Sequence, residues 1–556
     1  MQQKKIVVVG GVAGGASFAA RMRRLDEFAE IVLLEKGPYI SFANCGLPYY
    51  VGGVIQNKEA LIIQSPEKLK SVFNIDVRIQ NEVTGIDTKA KSVTVKNLLT
   101  GETYREDYDY LVLSPGAQPI RPPIPGINES PVFTVRNIPD VDAITEHVRS
   151  NRPKNAVIVG GGFIGLEMAD NLYELGINIT IVEKAPQIIG TMDYDMAAVV
   201  AGHLLAKGVS LYLEDGVAAF ANEAGTTEVI LESGRRLNAD LVILALGVKP
   251  DTGFLQGSGI ELGQRGSIKV NASLETNVPG IYALGDAAEV IDFNSGLPTL
   301  VPLAGPANKQ GRIVADNIAG LQKTFKGTQG TAIVKIFDLT VASTGSNERS
   351  LQERKVEYLT AVTVPTSHSA YYPGSALLWV KVHFSPAGKI LGAQIVGEKG
   401  VDKRIDVLAT ALRQGLTVCD LQELELAYAP PYGAAKDPVN MVGYIAENML
   451  AGRMKTVYLH DLAEGKDDVF ILDVRENWEV EKGKIEGSCH IPLGSLRDRL
   501  QELPKDKDII VVCQIGQRAY VASCILQQRG YRAKVLAGGY RHYAAVNETL
   551  AAIKKA

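Results

Sequence analysis

Short runs of β-branched residues and leucine alternate with helix-like segments along the first part of the chain. Apolar runs of this length, separated by segments of helical spacing, are typical of buried strands in parallel βαβ units. The pattern therefore predicts an α/β fold, and the proline-rich segment 115–126 predicts a linker between two such units. The six runs are residues 6–9, 31–34, 110–114, 156–160, 179–183 and 241–246.

From about residue 326 the pattern changes to alternating strands. Residues 377–384 and 390–397 have strand character, and 404–415 have helical spacing. This predicts a separate α+β unit. A final unit of about 100 residues begins near Val457, and its apolar runs 469–474 and 508–513 predict a further α/β domain.

Composition narrows the function classes. The chain has 556 residues, 46% of them hydrophobic and 22% charged, which is ordinary for a folded enzyme. The net charge is -4, and no basic cluster interleaves with aromatic residues, so we expect no nucleic-acid partner. No apolar stretch approaches the ~18 residues that cross a bilayer. Five scattered cysteines predict neither a disulfide framework nor a metal site, and reduced thiols fit a cytoplasmic protein.

The first glycine-rich turn, residues 10–15, follows the first apolar run. Gly10 allows the tight turn, Gly14 and Gly15 begin a helix whose N-terminus faces a pyrophosphate, and Glu35 ends the next run, where a carboxylate binds a ribose. Val12 replaces the middle glycine of the strict pattern, so a purely structural turn stays open for this copy.

The second glycine-rich turn matches the strict pattern with Gly160, Gly162 and Gly165. Glu183 ends the following run, and a carboxylate there binds a 2′-hydroxyl and repels a 2′-phosphate. We therefore expect NADH, with some NADPH use left open by Lys184. Two such turns in one chain predict two bound dinucleotides.

A single cysteine lies between these two turns. Cys45, in SFANCGLPYYVGG, has no partner cysteine nearby, and Cys513 is more than four hundred residues downstream. A thiolate beside a redox cofactor can attack sulfur, whereas the alternative is a small buried core residue. If Cys45 is a redox centre, its sulfur partner must come from elsewhere.

Further motifs resemble the flavoprotein reductases that bind two dinucleotides, over residues 1 to about 450. TNVPGIYALGDAAE (276–289) is similar to their second FAD motif, which implies that Asp286 binds the ribityl chain of FAD. SPGAQP (114–119) and ALGVKPD (245–251) resemble their crossover segments. FAD and a nicotinamide are therefore implied as cofactors.

The segment around Cys45 is similar to the branch that contains coenzyme A disulfide reductases and NADH oxidases or peroxidases, which use one active-site cysteine. On the helix after the first glycine-rich turn, contacts with coenzyme A and a solvated basic face formed by Arg21, Arg23 and Arg24 are equal alternatives. The resemblance implies that coenzyme A is held at its pantetheine end by Ser41 and Asn44 and at its phosphates by Ser17, Arg21 and Arg24, with Lys436 a further contact.

Residues 426–449 resemble the dimerisation-domain ending of this branch, which implies a homodimer whose active sites are completed by the partner. The same resemblance implies that Tyr371 and Tyr428 protonate or stabilise the leaving thiolate, as a phenol can in an apolar pocket. Tyr372 and Tyr432 lie close by in sequence and are alternatives.

CQIGQR (513–518) resembles the active-site loop of the rhodanese family. Successive backbone N–H groups in such a loop stabilise a persulfide anion on Cys513, and Arg518 adds positive charge. A non-catalytic remnant is the alternative. Other segments with the rhodanese pattern are ILDVRE (471–476), GKIEGSCHIPL (483–493) and LAGGY (536–540).

These resemblances imply an FAD-dependent, NAD(P)H-driven reductase of sulfur–sulfur bonds, acting on small thiol disulfides or persulfides. The alternatives are an NADH oxidase or peroxidase cycling through a sulfenic acid on Cys45, and a redox-sensing sulfur carrier of low turnover. The expected domains are FAD-binding (1–116 and 246–325), NAD(P)H-binding (117–245), dimerisation (326–452) and rhodanese (457–556).

Overall fold

Strands form wherever the first part of the sequence has its long apolar runs. The computed structural model describes residues 3–223, 226–464 and 469–555. It has two units, residues 1–182 with 216–330 and residues 183–215 with 331–556. All six predicted strands are confirmed, with bounds Lys5–Val9, Glu30–Glu35, Tyr110–Leu113, Asn155–Val159, Asn178–Glu183 and Leu241–Leu244.

The first unit contains a five-stranded parallel sheet. Its central strand is fully buried from Ile6 to Val8, because the helices Ala13–Leu25 and Ala304–Ile318 cover one face of the sheet and the strands Asn81–Asp87 and Ser92–Asn97 cover the other. The helix Ala13–Leu25 packs against Ala304–Ile318 beside it. The strand order is Ile281–Ala283, Tyr110–Leu113, Lys5–Val9, Glu30–Glu35 and Asp76–Ile79.

A second parallel arrangement follows the second glycine-rich turn. The strand Asn155–Val159 pairs on one side with Asn178–Glu183 and on the other with Leu241–Leu244, which pairs in turn with Val132–Thr134. The helix Phe163–Glu174 begins directly after the turn. Both turns thus connect a buried strand to a helix, as a dinucleotide fingerprint requires.

Antiparallel strands were not predicted in this unit, but it contains several. The proline-rich segment predicted as a linker is partly a strand, since Ala117–Pro119 pairs with Val248–Pro250. The other antiparallel strands are Asn81–Asp87, Ser92–Asn97 and Thr103–Asp107, then Val217–Glu223, Thr226–Leu231 and Arg236–Ala239. Ala288–Ile291 pairs antiparallel with Pro298–Thr299 and parallel with Ile268–Lys269.

The remaining elements of the first unit are short helices and turns around its sheets. The α-helices are Leu47–Val51, Pro66–Phe73 and Ile138–Asn151. The 3-10 helices are Asn44–Gly46, Lys58–Leu61, Gly253–Leu255, Gln264–Gly266 and Gly285–Ala287.

The segment of the second unit that starts at residue 331 begins with a five-stranded antiparallel sheet. This confirms the α+β unit predicted from about residue 326. The predicted strands are Leu378–Phe384 and Ile390–Gly397, and the predicted helix is Val401–Gln414. The other strands of the sheet are Ala332–Ile336, Leu339–Gly345 and Leu359–Thr363. The other elements up to residue 450 are Tyr194–Ala206, Ser210–Leu213, Glu348–Glu353, Asp420–Glu423 and Pro438–Leu450.

A parallel sheet forms the last part of this unit, and both strands predicted there are confirmed. Its order is Thr456–Val457, Arg532–Leu536, Asp508–Val512, Val469–Asp473 and Cys489–His490. Its helices are Leu459–Glu464, Asn477–Val480, Leu493–Asp498, Leu500–Glu502, Gln517–Gln527 and Gly539–Lys555.

A buried charge cluster lies inside the second unit. The ammonium group of Lys381 is 2.8 Å from Asp195, 3.1 Å from Asp193 and 3.2 Å from Glu348. Burial alone would lower the pKa of Lys381, but these carboxylates hold it above its ordinary value. The His542 Nε2 lies 3.0 Å from Asp195, so the cluster reaches the C-terminal helix.

The C-terminal helix Gly539–Lys555 packs against the helix Tyr194–Ala206. A Cβ added to Gly202 would lie 2.3 Å from the Thr549 hydroxyl, so a larger residue at position 202 would separate the two helices. Close packing and the His542 contact together fix the last helix on this unit.

Among the described residues, every helix is too short or too polar to cross a membrane.

Candidate active site

At two positions of the first glycine-rich turn, neighbouring backbone atoms lie so close that only glycine fits. Gly10 has a φ of +95°, and a Cβ there would lie 2.0 Å from the Ser114 carbonyl oxygen. A Cβ on Gly15 would lie 1.9 Å from the carbonyl oxygen of Gly10. The Gly11 N–H donates to a Glu35 carboxylate oxygen at 2.8 Å, which ties the turn to the end of the next strand.

A cleft of about 560 Å³ opens at this turn, and we call it the dinucleotide cleft. Gly14, Glu35, Asn44, Arg136 and Asp286 lie along its wall. A helix N-terminus between two carboxylates fits the pyrophosphate, ribose and ribityl groups of FAD. Burial raises the pKa of Asp286, and Arg136 opposes that shift.

The second glycine-rich turn has the same construction. Gly160 has a φ of +111°, and a Cβ there would lie 2.4 Å from the Ala245 carbonyl oxygen. A Cβ on Gly165 would lie 2.1 Å from the Gly160 carbonyl oxygen, whereas Gly162 has open space around it. Glu183 ends its strand and accepts a hydrogen bond from the Ala185 N–H at 2.8 Å.

Cys45 is exposed in the 3-10 turn Asn44–Gly46, at the start of the helix Leu47–Val51. It opens into a second cleft of about 740 Å³, which we call the thiol cleft. The two clefts share Ala13, Phe42, Asn44 and Asp286 as wall residues. Seven of the predicted site residues line the thiol cleft: Ser17, Arg21, Arg24, Ser41, Asn44, Cys45 and Asp286.

The basic residues of the thiol cleft differ in how they are paired. Arg21 forms an ion pair with Asp316 at 2.8 Å, whereas Arg24 is exposed. Arg23 is buried and donates to backbone carbonyl oxygens, among them Ala29 at 2.7 Å, so the alternative of a solvated face is wrong for Arg23. Arg312, which sequence reasoning missed, also lines this cleft and is exposed.

Two buried polar atoms in the wall of the thiol cleft have no hydrogen-bond partner among the described residues. They are the side-chain oxygens of Asn44 and Gln64. Buried acceptors of this kind are normally satisfied, so each needs a donor from an ordered water or from the amide or hydroxyl group of a ligand. Gln64 had no sequence motif that could have identified it.

The field around Cys45 is negative. Burial raises the pKa of the Cys45 thiol, and the charges of Glu167 and Asp286 raise it further. Burial also raises the pKa of Glu167 to about 7 and that of Tyr49 to about 12. The Tyr49 hydroxyl donates to the Glu167 carboxylate at 3.4 Å. Sequence reasoning gave no role to either residue, although Tyr49 lies in the segment around Cys45 and Glu167 follows Gly165 by two residues.

Two predicted tyrosines meet in the second unit. The Tyr371 and Tyr428 hydroxyl oxygens are 3.1 Å apart, and both side chains are exposed. Hydrogen bonds from Tyr371 and Ser369 lower the pKa of Tyr428. Lys436 is exposed on the same stretch of chain.

Cys513 lies at the bottom of the loop 513–518 and is fully buried. Gly516 has a φ of +102°, which turns its N–H toward the Cys513 sulfur at 3.2 Å. The Tyr540 N–H donates to the Cys513 carbonyl oxygen at 2.8 Å and holds the loop from its other side. The Gly516 N–H is thus a backbone donor of the kind that stabilises a sulfur anion.

Arg518 is not a free cation beside this loop. Its guanidinium donates to both Glu479 carboxylate oxygens, at 2.6 and 2.7 Å. Glu479 also receives the Glu476 N–H at 3.0 Å in a capping box at the helix Asn477–Val480. Sequence reasoning missed Glu479, which fixes where the positive charge of Arg518 lies.

Family models match most of the chain. The pyridine nucleotide-disulphide oxidoreductase model matches residues 4–311, and the dimerisation domain of the same family matches residues 331–437. A rhodanese-like domain model matches residues 456–545.

Individual proteins are similar over long stretches. A coenzyme A disulfide reductase of Staphylococcus aureus (strain bovine RF122 / ET3-1) is 40% identical over 445 residues, 80% of this chain and 100% of that protein. The structure of reduced Bacillus anthracis CoADR-RHD is 49% identical with a TM-score of 0.96, covering 99% of each chain. A NAD-dependent persulfide reductase from A. fulgidus is 36% identical with a TM-score of 0.92, covering 97% of this chain and 100% of that one.

Proposed function

Since the chain belongs to the pyridine nucleotide-disulphide oxidoreductase family, we propose that it reduces sulfur–sulfur bonds at Cys45 with electrons from NADH, carried through FAD. Its substrates are disulfides or persulfides of small thiols, with coenzyme A as the thiol carrier. The C-terminal domain handles sulfane sulfur on Cys513.

One observation carries this proposal. Cys45 opens into a cleft whose wall also holds Ser17, Arg24 and Ser41, and that cleft shares Asn44 and Asp286 with the dinucleotide cleft. The shared wall residues make the two clefts neighbours, so FAD held in the dinucleotide cleft would supply its electron pair to a sulfur bound at Cys45.

The residues of the dinucleotide cleft bind and orient the cofactor. The helix N-terminus at Gly14 holds the pyrophosphate, Glu35 the ribose and Asp286 the ribityl chain. When bound, FAD accepts a hydride from NADH and supplies the electron pair. Glu183 takes the ribose hydroxyls of NADH at the second turn.

Coenzyme A fits the thiol cleft by charge and by hydrogen bonding. The exposed guanidinium groups of Arg24 and Arg312 attract the phosphates of coenzyme A. Arg21 attracts them less strongly, because it already forms an ion pair with Asp316. The buried acceptors of Asn44 and Gln64 match the amide N–H groups of the pantetheine arm. Lys436 is a further phosphate contact in the proposal.

The proposed enzyme is a homodimer with the domains expected from the sequence. A homodimer supplies Tyr371 and Tyr428 of one subunit to the active site of the other, where they protonate the leaving thiolate. We propose FAD-binding (1–116 and 246–325), NAD(P)H-binding (117–245), dimerisation (326–452) and rhodanese (457–556) domains. Cys513 carries a persulfide held by the N–H groups of its loop.

The test is NADH consumption by the purified protein under anaerobic conditions, across a panel of sulfur substrates. The panel contains CoA disulfide, CoA persulfide, glutathione persulfide, polysulfide and elemental sulfur. We expect sulfur-dependent turnover with at least one coenzyme A derivative. Turnover that requires oxygen or peroxide and ignores every sulfur substrate would instead establish an oxidase or peroxidase.

The matched variants are Cys45→Ser and Cys419→Ser. Cys45→Ser should retain FAD and its reduction by NADH but lose nearly all sulfur-dependent turnover, because no covalent route to the substrate sulfur remains. Cys419→Ser should behave like the wild type. Near-normal turnover by Cys45→Ser would eliminate Cys45 as the redox centre.

A further inference from the structure

The C-terminal helix begins at Gly539, directly against the loop that holds Cys513. Gly539 has a φ of +67°, and a Cβ there would lie 2.6 Å from the Cys513 carbonyl oxygen, so helix and loop are in backbone contact. The Tyr540 N–H donates to that oxygen at 2.8 Å, and the Arg541 N–H donates to the Gln514 carbonyl oxygen at 3.0 Å. The first N–H groups of the helix therefore bind two successive carbonyl groups of the loop.

These two hydrogen bonds set the direction of the loop's own N–H groups. In a trans peptide the C=O and the following N–H point in opposite directions, and every peptide bond of the described residues is trans. The N–H groups of Gln514 and Ile515 are therefore turned away from the C-terminal helix. In the proposed function, N–H groups of this loop hold a persulfide anion on Cys513. The start of the helix thus acts on the persulfide through the loop backbone.

His542 fixes where this helix begins. Its side chain packs against the turn before the helix, since a Cβ on Gly538 would lie 2.7 Å from the His542 Cβ. The side chain is 1% exposed, and its Nε2 lies 3.0 Å from a carboxylate oxygen of Asp195. The Nδ1 atom has no hydrogen-bond partner among the described residues. The position of this buried imidazole therefore depends on Asp195.

Asp195 is an ionised acceptor for this contact. Its other carboxylate oxygen lies 2.8 Å from the Lys381 ammonium group. Burial opposes ionisation, but Lys381 and His542 hold the pKa of Asp195 below its ordinary value. A carboxylate only accepts hydrogen bonds, so His542 donates from Nε2. Asp195 lies in the proposed NAD(P)H-binding domain, so the contact joins that domain to the C-terminal one.

We propose that His542 and Asp195 are positioning residues for sulfur transfer at Cys513. Their hydrogen bond holds the start of the C-terminal helix, the helix holds the loop carbonyl groups, and the loop N–H groups hold the terminal sulfur anion. This inference rests on the proposed function, because it concerns the persulfide on Cys513. It adds that a side chain outside the C-terminal domain controls that persulfide.

The step that depends on this positioning is the loading of sulfur. The Cys513 thiolate attacks the outer sulfur of thiosulfate, one S–S bond forms, the S–S bond of thiosulfate breaks, and sulfite leaves with the electron pair. The products are the persulfide anion on Cys513 and sulfite, so atoms and charge balance without an added oxidant or reductant. The terminal sulfur anion develops only during this step, so misdirected N–H groups should lower kcat more than they raise KM.

The first test measures sulfur transfer from thiosulfate to cyanide by the full-length, FAD-bound protein, with Cys513→Ser as the blank. His542→Asn places its amide where Nδ1 lies and cannot reach Asp195, whereas His542→Gln places it near Nε2 and can donate. His542→Asn should lower kcat about tenfold, the effect of one hydrogen bond to a charged group, with little change in KM for thiosulfate. His542→Gln should recover most of this loss.

Asp195→Asn tests the other side of the contact. An amide has one acceptor oxygen, so it cannot accept from both His542 and Lys381. We expect a loss like that of His542→Asn, and no further loss in the double variant, because both act through one hydrogen bond. The matched control is Thr549→Ala, which changes a buried residue of the same helix near Gly202 and leaves the His542 contact in place. It should keep the kcat of the wild type.

The second test follows the persulfide itself. The protein is loaded with thiosulfate under anaerobic conditions and freed of it, and the persulfide left on Cys513 is measured against time by alkylation and mass spectrometry. The persulfide should persist about tenfold longer in the wild type and in Thr549→Ala than in His542→Asn. Reduction of FAD by NADH should be the same in all of these proteins.

The outcomes separate this inference from the proposed function. Equal kcat and equal persulfide lifetimes in His542→Asn and the wild type overturn it, as do losses in Thr549→Ala as large as those in His542→Asn. If either Asp195→Asn or His542→Asn does not fold, the other must show the stated loss, or the inference is rejected. If wild-type Cys513 takes no sulfur from thiosulfate or glutathione persulfide, its proposed role and this inference both fail, while reduction of sulfur substrates at Cys45 is judged separately by Cys45→Ser.

Discussion

The hydroxyl oxygens of Tyr371 and Tyr428 lie 3.1 Å apart, although 57 residues separate them in the chain. The bond between them lowers the pKa of Tyr428, so its phenolate is stabilised and its proton is easier to transfer. Among the described residues, Tyr372 and Tyr432 form no hydrogen bond with this pair, and the Tyr372 ring packs edge-on against His368 instead.

For the tyrosine pair we expect that Tyr428→Phe lowers kcat for disulfide reduction by about 100-fold, the lower end of general-acid effects. Reduction of FAD by NADH should be unchanged. Tyr371→Phe should have a smaller effect, and the double variant should be no worse than Tyr428→Phe, because the two residues act together. Tyr432→Phe is the control, and equal losses in it would mean that the pair has no special role.

Mixed dimers test whether the pair serves the partner's cysteine. In a dimer with one Cys45→Ser subunit and one Tyr428→Phe subunit, one of the two sites would contain both Cys45 and Tyr428. After subunit exchange in an equal mixture, half of the dimers are mixed and each has one intact site, so we expect recovery of about a quarter of the wild-type turnover. No recovery would place both residues in the same subunit's site.

For the thiol cleft, Arg24→Ala should raise KM for CoA disulfide about two- to fivefold, the range expected from an exposed ion pair. The effect should shrink as salt increases, because exposed charges are screened. Arg312→Ala should behave in the same way, and Lys96→Ala, which replaces an exposed residue of the strand Ser92–Asn97 in the same unit, should not. Unchanged KM in both arginine variants would remove coenzyme A phosphates from this cleft.

For the nicotinamide, Glu183 should make kcat/KM for NADH exceed that for NADPH by on the order of tenfold, because a carboxylate repels a 2′-phosphate. Glu183→Ala should narrow the difference mainly by improving NADPH. Steady-state kinetics with both nucleotides measure the ratio. A wild-type preference for NADPH would refute the assignment of Glu183.

For the C-terminal domain, Cys513→Ser in the full chain should abolish sulfur transfer from thiosulfate or a persulfide while FAD reduction by NADH continues. Cys524→Ser, on the following helix, is the matched control. Glu479→Gln should also weaken sulfur transfer, because Arg518 loses the carboxylate that fixes its direction. If Cys513→Ser transfers sulfur normally, the domain has a docking role instead.

Strand prediction succeeded for the continuous apolar runs and for the alternating strands between residues 377 and 397, and it failed for the antiparallel strands of the first unit. The run 6–9 is buried on both faces and leaves no competing interpretation. The strand Thr103–Asp107 is mostly polar, and its place depends on pairing with Ser92–Asn97, a contact that local sequence does not encode.

Prediction of the site residues succeeded for the short motifs and failed for residues outside them. Glycine motifs and Cys45 identified the two turns and the thiol, because each motif has a local backbone or chemical requirement. Gln64 in the wall of the thiol cleft and Glu479 beside Arg518 meet no such local requirement. Their roles depend on burial and on packing of separate elements, so only the folded chain indicates them.

The close packing of Thr549 against Gly202 and the His542–Asp195 contact restrict the substitutions that this chain can accept during evolution. A side chain gained at position 202 would collide with the last helix, and loss of His542 would leave a buried carboxylate with one fewer partner. These positions must therefore be inherited as a set. Recombination that exchanged the C-terminal domain alone would bring an unmatched helix to this surface, so successful exchanges should carry compensating substitutions at residues 195 and 202.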